Sequence, residues 1–62
     1  MSFLEIDEDR LKAQYYRAWL ENGCKPVAPH QDVFLEQAII QYMTVNQCSY
    51  DHAWMIAQGG VF

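Results

Sequence analysis

Asp32-Val33-Phe34-Leu35-Glu36-Gln37-Ala38-Ile39-Ile40-Gln41-Tyr42-Met43-Thr44-Val45-Asn46 is the stretch that decides the fold class of this chain. Placed at 100° per residue, Phe34, Leu35, Ala38, Ile39, Tyr42, Met43 and Val45 sweep roughly 180° of one helical circumference. A helix that meets a single neighbour needs an apolar stripe of only about 100°. The width of this arc therefore predicts packing against two or more elements. Glu36, Gln37, Gln41, Thr44 and Gln47 mark the wet side, although Val33 and Ile40 fall there too and are candidates for a second contact surface. The helix is expected to open near Pro29 to Asp32 and to run over about residues 30–46.

Upstream, Lys25-Pro26-Val27-Ala28-Pro29 interrupts the helical pattern, because each proline biases the residue before it toward extended geometry and neither donates a backbone hydrogen bond. This reads as a connector of about six residues, and it and Ser2 to Ile6 are both candidates for a short edge strand. Before it, a first helix is expected over about residues 8–22. Asp7 is a good N-cap, Glu8 and Asp9 set negative charge against the helix dipole, and Ile6 and Leu11 stand at the two ends of a hydrophobic staple. Asn22-Gly23 supplies the stop. Leu11, Tyr15, Ala18 and Trp19 share one stripe of that helix, while Glu8 with Lys12 and Arg17 with Glu21 have the four-residue spacing of surface ion pairs.

Downstream, Ser49 can cap a third helix over about residues 50–58, with Asp51 in its first turn and Gly59-Gly60 ending it. No proline or glycine forbids the second helix from continuing through Asn46 to Ser49, but the capping preference of Ser49 favours a break. Sixty-two residues make one domain, residues 1–62, and 52% apolar content excludes a disordered chain.

Charge is distributed unevenly. All four basic residues, Arg10, Lys12, Arg17 and Lys25, lie in the first 25 positions, and from Pro26 to Phe62 only Asp32, Glu36 and Asp51 carry formal charge. A domain this small buries roughly 60% of the surface its unfolded chain exposes, so a partner chain is the expected cover for part of this uncharged stretch. The net charge of −4 makes nucleic acid an unlikely partner, since duplex binding draws on a basic stripe. The N-terminal Met1-Ser2-Phe3-Leu4-Glu5 lacks a secretory signal's basic and apolar regions, and no run approaches the roughly 18 apolar residues of a membrane span. A soluble, cytoplasmic protein with free Cys24 and Cys48 is the expectation.

The motifs that would carry chemistry are sparse. Cys24, His30, Cys48 and His52 have the composition of a Cys₂His₂ zinc site, with Cys48 and His52 one helical turn apart, but not the usual order and spacing. Buried thiols and partly exposed histidines are the simpler reading, and no metal or other cofactor is expected. A Cys48–His52 dyad would still need an oxyanion hole, an orienting group and a cleft, so no enzyme is expected. A helix-turn-helix reading founders on Tyr50 to Gln58, which offers only Asp51, His52 and Gln58 to a groove.

The Ile6-Asp7-Glu8-Asp9 helix start, the Asn22-Gly23 stop and the apolar run Ala38-Ile39-Ile40-Gln41-Tyr42-Met43 give a compact acidic helical format. That format resembles the small early-region accessory proteins of lambdoid bacteriophages, including those encoded between the exonuclease and excisionase genes. The resemblance covers the whole chain in format and carries over no functional residue. It implies a non-enzymatic protein, made early in infection, that biases development toward lysis or alters host physiology, acting as a dimer.

Together these readings predict an all-α fold: a helical hairpin, with a short third helix or edge strand, forming an intertwined homodimer. Phe34, Leu35, Ile39, Tyr42 and Met43 are the expected dimer contacts, and an aromatic groove near Trp19 or Trp54 the expected seat for a further protein partner, such as a host protein. The alternative is a small nucleic-acid-associated transcriptional regulator using Arg10, Lys12, Arg17 and Lys25.

Overall fold

Three helices and no strand make up the computed structural model, which describes residues 7–62. Helix α1 spans Glu8–Glu21, α2 spans Val33–Asn46 and α3 spans Tyr50–Gln58. Each packs against the other two, so the fold is an all-α three-helix bundle. The Ile6 end of the staple and the Ser2 to Ile6 strand candidate lie outside the described residues.

Each helix begins on the same device, an extended residue whose side-chain oxygen takes up one of the unpaired amides of the first turn. Asp7 Oδ1 accepts from the Arg10 amide at 2.9 Å, Asp32 Oδ1 from the Leu35 amide at 3.0 Å and Ser49 Oγ from the His52 amide at 3.1 Å. The Asp32 cap is why α2 opens at Val33 and not near residue 30. Gln47 takes a left-handed conformation (φ 51°) at the end of α2, which separates it from α3 as the Ser49 cap predicted. At the end of α1, Asn22 is the C-cap and Gly23 is left-handed (φ 73°), so the helix stops one residue before the expected boundary.

The connector runs over residues 22–32, longer than the prolines alone suggested, and forms turns rather than an edge strand. Two side-chain amides hold it. Asn22 Nδ2 donates to the carbonyls of Lys25 and Pro26, at 3.2 and 3.0 Å, while Asn22 Oδ1 accepts from Gln31 Nε2 at 2.9 Å. Gln31 Oε1 in turn accepts from the Ala28 amide at 3.0 Å. Val27, buried between these anchors, donates its amide to the Tyr15 hydroxyl at 3.3 Å. Side-chain bonds thus satisfy backbone groups that a strand would have paired with another strand.

The core consists of Leu11, Tyr15 and Ala18 from α1, Val27 from the connector, Leu35, Ala38, Ile39 and Tyr42 from α2, and Ala53 and Ala57 from α3. Ala53 and Ala57, both fully buried one turn apart, let α3 approach its neighbours closely. Just beyond α3, at Gly60, an added Cβ would lie 2.7 Å from the Lys12 carbonyl oxygen of α1. The wide apolar arc of α2 does meet two elements, and both belong to the same chain.

Leu35, Ile39 and Tyr42, expected as dimer contacts, are 1, 0 and 6% exposed within the single chain, where α1 and α3 pack over α2. Neither surface pair predicted on α1 supplies the ion-pair contact found among the described residues. It joins His30 to Glu36.

Candidate protein-docking surface

The outer face of α2 carries four of the large apolar side chains that the bundle leaves exposed, besides Tyr16 and Leu20 on α1, Met55 on α3 and Phe62 after it. Val33, Phe34, Ile40 and Val45 are 67, 70, 51 and 46% exposed, and Gln37, Gln41 and Thr44 between them are exposed as well. None of the seven carries a charge. Gln37, Ile40, Gln41, Thr44 and Val45 line a shallow depression of about 540 Å³. The Thr44 hydroxyl donates to the Ile40 carbonyl at 2.9 Å, which ties its polar hydrogen to the helix backbone.

Both acids of α2 are engaged elsewhere. Asp32 caps the helix, and Glu36 faces α3, where Tyr50 Oη donates to its Oε2 at 2.6 Å and His30 Nδ1 lies 2.8 Å from its Oε1. The His30 ring stacks on Tyr50 at 5.1 Å, Tyr50 stacks on Trp54 at 6.3 Å, and the Trp54 ring meets Tyr15 edge-on at 5.7 Å. This ladder fastens the left-handed His30 of the connector to the core. Burial, reinforced by the hydrogen bond to Glu36 and its charge, pushes the Tyr50 phenol up to about 12. Burial also raises Tyr42, helped by the charge of Glu8.

The sequence-predicted contact residues are therefore divided. Phe34 belongs to the exposed face. Leu35, Ile39 and Tyr42 lie in the core, and Met43 packs half-buried against it. Trp54 is half-buried within the aromatic ladder, and Trp19 is half-buried, stacked at 6.0 Å on the more exposed Tyr16. The two tryptophans do not come together in one described cavity. Val33 and Ile40, singled out as a second contact surface, are on the docking face. Gln37, Gln41 and Thr44 were hidden by their polarity, and the signal that finds them is that the wet side of α2 lacks charge once Glu36 is turned toward α3.

Among the described residues no group of three or more His, Cys, Asp or Glu side chains could hold a metal ion, and no helix is long and apolar enough to cross a membrane. Cys24 is exposed and Cys48 half-buried, both as free thiols. Compared with protein-family models, curated proteins and solved structures, the chain matches none.

Proposed function

We propose that this is a non-enzymatic protein that works by protein–protein contact, with the outer face of α2 as its docking surface. The observation that carries the reading is the placement of Val33, Phe34, Ile40 and Val45, each about half exposed or more, on one helix face without formal charge. Contiguous apolar surface of this kind marks interaction sites in small domains. Covering it is favourable at about 25 cal/mol per Å² of apolar area removed from water, with no charge to desolvate. The resemblance read from the sequence supplies the setting: an accessory protein of a phage-infected bacterial cytoplasm, biasing infection toward lysis or modulating the host by occupying another protein.

A photocrosslinking amino acid placed at Gln41 in the protein expressed in bacterial cells tests the surface, with the same group at exposed His52 on α3 as the control. Protein adducts at position 41 and not at 52 are the expected result. Adducts at both positions alike, or at neither, would remove the outer face of α2 as the docking surface.

A further inference from the structure

We infer that the occupant of this face is a second copy of the chain, with the two α2 helices antiparallel about a two-fold axis that crosses the outer face between Gln37 and Gln41, level with residue 39; this rests on the docking reading above. The exposed ridge of α2 is the four-residue row Val33, Gln37, Gln41, Val45. Val33 and Val45 are equally distant from Ile39 in sequence, and so are Gln37 and Gln41. The row reads apolar, amide, amide, apolar in either direction.

A two-fold interface is isologous: if residue i meets j, then j meets i. In the antiparallel arrangement Val33 meets the partner's Val45, and Gln37 meets the partner's Gln41. The symmetry repeats both contacts. Like thus packs on like at every position of the ridge. A glutamine amide is both donor and acceptor, so each facing pair can satisfy itself without help from water. Phe34 and Thr44 stand in the same symmetric relation, and Ile40 lies beside the axis.

Electrostatics permits this partner despite a net charge of −4 on each copy. Asp32 and Glu36, the acids of the same helix, are held by the cap and by Tyr50 and His30, so the ridge itself sets no carboxylate against another. The strip is about 21 Å long and about 10 Å wide. It offers a footprint on the order of 200 Å² per chain, well below the about 800 Å² of a standard stable interface. The dimer is accordingly a weak, concentration-dependent one.

Sedimentation across a concentration series, to millimolar protein, tests this with four chains whose helix content is first matched by circular dichroism. The wild type should move from 7.3 kDa toward twice that mass as concentration rises. Ile40→Asp should remain monomeric. Gln37→Glu with Gln41→Glu should weaken association by about tenfold or more, because carboxylates then face carboxylates. Gln37→Glu with Gln41→Lys should associate at least as tightly as wild type, since the antiparallel register sets each glutamate against the partner's lysine. A wild type that stays monomeric throughout overturns the inference, as does a Glu/Lys chain no tighter than the Glu/Glu chain. Position-41 adducts to other proteins alongside a monomeric wild type would remove the second copy and leave the docking surface standing.

Discussion

Two phenols tie the helices together through carboxylates. Tyr50 of α3 donates to Glu36 of α2, and the charge of Glu8 on α1 acts with burial to keep the Tyr42 phenol of α2 neutral. In each case the neutral phenol is the form the fold favours. With the Tyr50 value raised from 10.0 to about 12, its contribution to stability is complete below the unfolded value and is lost as pH rises from there through the folded one. Phenolate absorbance during an alkaline titration should show a late phase above the usual tyrosine range, and Tyr50→Phe should lower its amplitude by one tyrosine. Ionisation of all four tyrosines in a single step near 10 would show that the Glu36 tie is absent in solution. None of this was legible in the sequence, where Tyr50 and Glu36 are fourteen residues apart and nothing local links them.

Caps made the helices readable, because a cap is a contact between residues three apart. Asp7 and Ser49 were legible for that reason, and the Ser49 cap predicted the break between α2 and α3. Asp32 was within the expected opening of α2, but proline and histidine before it blurred the boundary. Asp32→Ala should cost about 1 kcal/mol of stability, read as a lowered urea midpoint. An unchanged midpoint would mean that solvent serves the Leu35 amide equally well. The length of the connector escaped sequence reading because its order comes from the Asn22–Gln31 amide pair, a contact spanning nine residues. The same limit applied to the outer face of α2: polarity located its wet side, while only the direction of Glu36 showed that this side is uncharged.

At the scale of the whole molecule, two adjacent isoleucines should separate core from surface. Ile39 is fully buried and Ile40 half exposed. Ile39→Ala should cost about 2–5 kcal/mol, a large share of the roughly 3–9 kcal/mol expected for a domain of this length. Ile40→Ala at low protein concentration should stay within about 0.5 kcal/mol of wild type. Equal losses in urea unfolding would refute this division of α2. The sequence by itself determined the helical class, the starts of α1 and α3 and the width of the apolar arc, since each depends on spacing within a few residues. Which chain covers that arc was decided only by tertiary structure. Period fixes the direction in which a side chain points, but whether it meets its own chain or another depends on the path of the rest. Here the turn at Gln47 and the small Ala53 and Ala57 bring α3 onto α2, bury Leu35, Ile39 and Tyr42, and leave Val33, Phe34, Ile40 and Val45 facing outward.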